Sequence, residues 1–349
     1  MILVLLEVTL LVIVVLALLA PLESLEWWAR RYPTPSLPAP KPAPAAGIRR
    51  FAVYLSGIAV LDGRSISRRE HAVLEEVRNQ LPDVIITEDV FPYAMENRGL
   101  PQRATAWLWR RLDWVRRRFP WSPLPFLINL RNVMQVLVSA DPRYGGTYNF
   151  GVACVVWRSL LNAGYDPDDP APVTLIGYSG GAQIACGVAR FLAAHDVRVD
   201  VVSIGGVYAD DPGLDHIGSL THLKGSRDHT QSLGTLAFPG RWFTAPLSPY
   251  GRALRDGRIH TVNMGPISHA NYFSRHITLA DGRTPKQETI EQTSAATDRN
   301  GVPAGCSCAG HARNRPCGSP ATGPHRSRTH CAPTATAGNR TAAAPPRCG

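Results

Sequence analysis

The segment Val173 to Leu192 reads VTLIGYSGGAQIACGVARFL and joins two different hydrophobic patterns. It opens with a short apolar run, Val173 to Gly177, which is typical of a buried strand. From Gly181 to Ala194, just past the end of the segment, apolar residues recur at helical spacing. Between them, GYSGG has the form G-x-S-x-G, a sharp strand-to-helix turn that lifts the serine clear of the sheet. The segment therefore predicts that Ser179 stands at the end of a strand.

Glycine-rich turns between a strand and a helix can also bind phosphate groups. This turn has neither the G-x-x-x-x-G-K-[ST] pattern nor G-x-G-x-x-G, because Ser179 occupies the position of the second glycine of the latter. The sequence therefore argues against a nucleotide site here.

The region from Ile48 to Gln292 alternates short apolar runs with helix-length stretches, and we interpret it as one domain. The strand-like runs are FAVYL (51–55), VIIT (84–87), VTLIG (173–177), VDVVSIGG (199–206), THLKG (221–225) and IHTVNMG (259–265). Such alternation predicts an α/β fold with a mostly parallel sheet flanked by helices.

The motif and its setting resemble the α/β-hydrolase superfamily, in which an acid and then a histidine follow the serine, each after a later strand. Asp228 follows the run THLKG, and His269 follows the run IHTVNMG. The resemblance implies a triad in which His269 takes the proton of Ser179 and Asp228 orients the histidine. It implies hydrolysis of a carboxylic ester or related acyl bond through an acyl-enzyme, without a metal or an organic cofactor.

Other residues compete for the two supporting roles. The rival acids, which follow the preceding strand, are Asp210, Asp211 and Asp215. Asp228 is favoured because its strand comes directly before the histidine strand. The rival histidines are His229, His260 and His276. We expect a structural role for His260, which lies inside a strand pattern, while His276 is further from the strand end.

The same resemblance implies an oxyanion hole made of two backbone N–H groups. One is that of Gly180, directly after the serine. The second comes from the loop in YLSGIAV, either from Gly57 or from Ile58. Many relatives in the superfamily carry His-Gly here, whereas this chain has Ser56-Gly57, a difference that leaves backbone donors unaffected.

The N-terminal segment Met1–Ala20 is apolar apart from Glu7 and is long enough to span a bilayer. We predict a single-pass transmembrane anchor rather than a cleaved signal peptide, because no basic residue precedes the apolar run. A juxtamembrane and proline-rich linker follows, over residues 21–47. Basic residues after the span predict a cytoplasmic catalytic domain.

The C-terminal region, residues 293–349, lacks the large apolar side chains that a core needs, and we predict a disordered low-complexity tail. It holds five of the seven cysteines, at spacings that do not favour a zinc site. The other two, Cys154 and Cys186, lie in apolar helical patterns and are expected to be buried. The folded part therefore has no disulfide framework.

The net charge of +10 is concentrated in two places, the tail and the stretch Arg103–Arg118. The remainder is close to neutral, which argues against a nucleic-acid partner. A cap-like insertion is predicted over residues 91–148, where a long connection precedes the nucleophile. It contains WLWRRLDWVRRRFPW (107–121), which could lie on an anionic membrane or dock on the sheet with its arginines in solvent.

These features favour a small-molecule acyl ester as the substrate, apolar or lipid-like in view of the anchor and the Trp/Arg stretch. Two other functions stay open. An acyltransferase would use the same three residues with a different acceptor, and a non-catalytic, membrane-tethered binding module would need none of them.

Overall fold

A computed structural model describes residues 50–58, 66–93 and 125–299, with isolated positions between 7 and 15 and between 111 and 119. Within these ranges, the strands are β1 (Arg50–Leu55), β2 (Val84–Thr87), β3 (Val173–Tyr178), β4 (Val199–Ile204), β5 (Ile217–Lys224) and β6 (Ile259–Asn263). They form one sheet in the order β2-β1-β3-β4-β5-β6, and every pairing is parallel. The predicted parallel sheet is confirmed.

Helices cover both faces of this sheet, also as predicted. The described helices are α1 (Arg68–Gln80), α2 (Pro125–Ala140), α3 (Gly145–Asn162), α4 (Gly181–Ala193), α5 (Ser232–Ala237), α6 (Pro249–Arg255) and α7 (Pro285–Arg299). Helices α2, α3 and α4 pack on one face, whereas α1 and α7 pack together on the other.

The alternation of side chains along β1 shows how the two cores are divided. Phe51, Val53 and Leu55 point into the core under α3 and α4, while Ala52 and Tyr54 point into the core under α1 and α7. Successive strand residues face opposite sides of a sheet, and a parallel sheet is covered on both. This explains why these strands are continuously apolar instead of alternating with polar residues.

The order of the strands creates a crevice between β1 and β3. The chain goes from β1 to β2 on one side and then crosses to β3 on the other side. Loops that leave two such strands diverge, and ligands of open α/β sheets bind where they do so. The loop carrying Gly57 and the turn carrying Ser179 meet at this point, since a Cβ on Gly57 would lie 3.3 Å from the Ser179 Cβ.

The predicted anchor, Met1–Ala20, falls mostly outside the described residues, as do the whole of the linker at 21–47 and residues 300–349. No helix in the described part of the chain is long and apolar enough to cross a bilayer.

The predicted cap at 91–148 needs correction in its second half. Helix α2 and the first turn of α3 lie within it, yet Ile128 and Tyr148 are fully buried in the domain core. Residues 94–110 and 120–124 lie outside the described ranges. In the tryptophan- and arginine-rich stretch, Leu112 is buried and Trp114 is half exposed, with the Arg111 guanidinium over its ring.

The predicted domain boundary at residue 292 is also wrong, because it falls inside α7. Thr293, Ala296 and Thr297 are buried, so the helix is part of the fold to its end. Because these side chains are small, this end of the helix resembles in composition the region that follows it. The guanidinium of Arg50 donates hydrogen bonds to the carbonyl oxygens of Thr297 at 3.1 Å and Asp298 at 2.8 Å.

A chain ending after Gln292 is expected to be less stable by about 2–4 kcal/mol, because it leaves the buried Arg50 without its carbonyl acceptors and exposes the surface under α7. Urea unfolding measures this difference. A chain ending after Arg299 is the matched control and should unfold like the full-length protein. Equal stability of the two truncated chains would mean that the end of α7 contributes nothing to the fold.

Candidate active site

The turn between β3 and α4 holds Ser179 in an unusual backbone conformation. Its φ is +54°, in the left-handed region that costs an L-residue about 1–3 kcal/mol. The turn is tight because α4 begins directly against the end of β1. A Cβ on Gly181 would lie 2.1 Å from the carbonyl oxygen of Leu55, so only glycine fits there. The serine side chain therefore stands at the carboxyl edge of the sheet.

Ser179, His269 and Asp228 form one chain of hydrogen bonds. The His269 Nε2 lies 2.8 Å from the Ser179 Oγ, and its Nδ1 lies 2.9 Å and 3.1 Å from the two carboxylate oxygens of Asp228. A carboxylate can only accept, so the imidazole proton resides on Nδ1. The lone pair on Nε2 then faces the serine hydroxyl, as a general base requires.

Asp228 is buried, and several donors converge on its carboxylate. Besides His269, it accepts from the N–H groups of Thr230 at 3.0 Å and Gln231 at 3.4 Å, and from the Tyr272 hydroxyl at 3.0 Å. Burial opposes ionisation, but the hydrogen bond and charge of His269, with the bonds from Tyr272 and Gln231, outweigh it and hold the pKa of Asp228 below its usual value. Asp228 is therefore ionised at neutral pH.

Two tyrosines that sequence reasoning missed fix the orientation of the other groups. The Tyr178 ring stacks on the His269 imidazole with centroids 5.7 Å apart and planes 17° apart. Its hydroxyl donates to the His269 carbonyl oxygen at 2.9 Å. The second is Tyr272, which also accepts from the N–H of Gly225 at 2.8 Å. Tyr178 lies inside the serine motif, but that motif admits any residue at its position.

All three predicted oxyanion residues lie beside Ser179. The N–H of Gly180 stands at the N-terminus of α4, where the first N–H groups have no partner within the helix. A Cβ on Gly180 would lie 3.0 Å from the Cγ2 of Ile58, and Gly57 borders Ser179 itself. The Ile58 carbonyl oxygen accepts from the Asn132 Nδ2 at 2.5 Å, which fixes the loop.

The rival acids Asp211 and Asp215 have other partners, and the rival histidines face solvent. Asp211 is buried and accepts from Gln183 and from the N–H of Gly213, and Asp215 pairs with Arg252. Within the described residues, neither is hydrogen-bonded to His269. The three rival histidines are all exposed: His229, His260 and His276. For His260 this corrects the expected structural role, since its ring points to solvent from the edge strand β6.

No three of the His, Cys, Asp and Glu residues that the structure describes form a group that could hold a metal ion. Cys154 and Cys186 are buried in α3 and α4, as the sequence predicted. The cysteines of the C-terminal region lie outside the described part of the chain.

Several solved structures are similar to this chain, and that of esterase PE8 is one of them. The crystal structure of esterase PE8 covers 75% of this chain and 98% of its own, at 15% sequence identity and a TM-score of 0.38. Nothing about the activity of this chain follows from a likeness at that level. No protein-family model matches the sequence. A search of curated proteins found no match.

Replacing Tyr272 by phenylalanine is expected to cost about 3 kcal/mol of stability at pH 7, because it removes a hydrogen bond to an ionised carboxylate and the acceptor of the Gly225 N–H. The pKa of Asp228 is depressed in the folded state, so its stabilisation exists above its unfolded pKa and fades as the pH falls through the folded pKa. The cost of Tyr272→Phe should therefore shrink below about pH 4. Urea unfolding of both proteins at several pH values measures it.

The matched control is Tyr165→Phe, which removes a hydrogen bond to the neutral carbonyl oxygen of Ala171. Its cost should not change over the same pH range. A Tyr272→Phe cost that is equally insensitive to pH would contradict the idea that its hydroxyl stabilises the charged form of Asp228.

Proposed function

We propose that this protein is a serine hydrolase that cleaves a carboxylic ester or a related acyl bond. The observation that carries the proposal is the chain of hydrogen bonds from Asp228 through His269 to Ser179. The serine lies on a strained turn beside the crevice between β1 and β3. A strained residue kept in place by close packing is a frequent mark of a functional site.

In the proposed reaction, the Ser179 Oγ attacks the acyl carbonyl carbon while its proton passes to the His269 Nε2. The carbonyl electron pair moves to the oxygen, and the N–H groups of Gly180 and Ile58 stabilise that charge. Asp228 stabilises the imidazolium, which then protonates the departing alcohol. Water, deprotonated by His269, releases the acid from the acyl-enzyme. These reaction steps require neither a metal nor an organic cofactor.

A lipid-like substrate is supported by a group of exposed apolar side chains in residues 232–255, the segment that follows Asp228 in the chain, and we name this group the apolar rim. Its large side chains are Leu233, Leu236, Trp242, Phe243, Leu247 and Leu254. Leu236 is 74% exposed, Phe243 96% and Leu247 77%, values that are unusual for three large apolar side chains so close in sequence. The rim begins in α5, only a few residues after Asp228.

Basic side chains accompany the apolar rim. Residues 229–255 include no acidic residue and three arginines, of which Arg252 pairs with Asp215, Arg241 lies over the Tyr208 ring and Arg255 is exposed. Exposed aromatic and aliphatic side chains flanked by basic groups are typical of segments that insert at a membrane interface. We propose that the apolar rim positions the active site at a membrane surface. We also propose that Met1–Ala20 is a membrane anchor and that the domain lies in the cytoplasm.

The two other functions stay distinguishable from hydrolysis. An acyltransferase would use the same residues, and product analysis with a competing alcohol acceptor separates it from a hydrolase. A binding module has no use for a proton-accepting Nε2 held 2.8 Å from a serine hydroxyl, so the geometry favours catalysis over binding alone.

A fluorophosphonate probe should label the full-length protein, because the probe reacts only with an activated serine. Ser179→Ala should abolish labelling. Asp228→Asn should lower the hydrolysis of a p-nitrophenyl ester by about 10⁴-fold, since an amide favours the wrong tautomer of His269. In-gel fluorescence and release of p-nitrophenol are the measurements.

His229→Gln is the matched control, since it changes an exposed histidine beside Asp228 and should leave labelling intact. A folded parent protein that no probe labels would overturn the hydrolase proposal and favour the binding module.

Replacing Leu236, Phe243 and Leu247 together by serine should weaken binding to phosphatidylglycerol vesicles by at least about 100-fold, because each apolar side chain gains about 1.5–3 kcal/mol on burial. Hydrolysis of a vesicle-borne ester should fall in parallel, while hydrolysis of a soluble short ester stays unchanged. A chain beginning at Ile48 serves for the test, so that the N-terminal apolar segment cannot contribute.

Tyr144→Ser is the control for this triple variant, because Tyr144 is a partly exposed aromatic residue before α3 and outside the rim. It should bind vesicles like the parent chain. Equal binding by the triple variant would remove the rim from the proposed membrane contact.

A further inference from the structure

The hydroxyl of Tyr93, in the loop after β2, is one of several buried side-chain groups without a hydrogen-bond partner in the described residues. Tyr93 is fully buried, and its Oη has no hydrogen-bond partner in the described part of the chain. Most buried polar groups are paired, and an unpaired hydroxyl costs about 1–3 kcal/mol. A phenylalanine would fill the same space without that cost, so the hydroxyl calls for a function.

The position of this hydroxyl connects it to the candidate active site. A Cβ on Gly180 would lie 3.1 Å from the Tyr93 Oη, 3.0 Å from the Ile58 Cγ2 and 2.8 Å from the Val136 Cγ2. The hydroxyl therefore lies alongside the residue whose N–H is the first oxyanion donor. It lies on the same side of that residue as Ile58, which carries the second.

Tyr93 and Ile58 are held by one buried network from α2. The Arg131 guanidinium donates to the Tyr93 carbonyl oxygen at 3.0 Å and to the Asn132 Oδ1 at 2.7 Å. Asn132 in turn donates to the Ile58 carbonyl oxygen. On the other side of the loop, the Tyr148 hydroxyl donates to the Pro92 carbonyl oxygen at 3.1 Å. Donors fixed in this way need no reorganisation when charge develops beside them.

The hydroxyl is also kept in its donor form. Burial, with a smaller contribution from neighbouring Tyr148, raises the pKa of Tyr93 well above its usual value. Tyr93 therefore carries its proton at neutral pH.

We propose that the Tyr93 hydroxyl is a third donor of the oxyanion hole, which makes Tyr93 a catalytic residue. As the bond between the Ser179 Oγ and the acyl carbon forms, the carbonyl electron pair moves to the oxygen. The Tyr93 O–H then donates a hydrogen bond to that oxygen, next to the N–H groups of Gly180 and Ile58, and keeps its own proton. The inference rests on the proposed hydrolase function.

The thermal stability of a Tyr93→Phe variant distinguishes this catalytic role from a role in packing alone. Removing an unpaired buried hydroxyl costs nothing and can even stabilise a protein. Tyr93→Phe should therefore unfold at the same or a higher temperature than the parent protein. At the same time, its kcat for a soluble p-nitrophenyl ester should fall by about 10²-fold, as the loss of one oxyanion donor does elsewhere, with KM within about threefold.

The rates are expressed per active site, counted by the end point of fluorophosphonate labelling, so that partly unfolded material cannot imitate a loss of kcat. A trifluoromethyl ketone, which forms a tetrahedral oxyanion adduct with the serine, should bind Tyr93→Phe more weakly by a similar factor. Tyr165→Phe is the control: it should lose stability, because its hydroxyl is paired, and should keep its kcat.

The outcomes distinguish this inference from the function on which it rests. A parent protein without labelling overturns both. A labelled parent together with a Tyr93→Phe variant that keeps kcat and ketone affinity within about threefold overturns only the third donor, whatever its thermal stability.

Discussion

The close approach of α4 to the end of β1 is the constraint on which the site depends. Because the helix begins against the carbonyl oxygens of Leu55 and Ser56, the backbone between β3 and α4 must turn within a single residue, Ser179. The same approach directs the N-terminus of α4, with its free N–H groups and positive end of the helix dipole, toward the loop after β1. The close approach of α4 to β1 thus determines the position of the nucleophile and also that of the groups that stabilise charge.

The residues that could be predicted from the sequence are those that follow strands. The carboxyl ends of parallel strands meet at one edge of the sheet, so Ser179, Asp228 and His269 are brought together by topology once their strands are recognised. The strand limits were less accurate where the apolar pattern is interrupted. β5 begins at Ile217, several residues before the predicted run. Its start was not recognised because Gly218 and Ser219 interrupt the apolar pattern there.

The groups that orient the site could not be predicted, since they depend on contacts between distant parts of the chain. Nothing near Asn132 signals that its amide holds the carbonyl of Ile58, and Tyr272 has no feature that marks it as a partner of Asp228. The end of α7 was missed for another reason. Its small buried residues pack against α1 and lack the large apolar side chains by which a core helix is recognised.

The bond from Arg50 to the end of α7 has a consequence for the order of folding. Arg50 opens the first described strand, and its acceptor at Thr297 lies 247 residues further along the chain. During synthesis on a ribosome, nearly the whole domain must therefore emerge before this guanidinium has all of its acceptors. Contacts this distant in sequence slow folding, so the nascent chain exposes its unfinished apolar face for longer, and chaperones have more time to engage it.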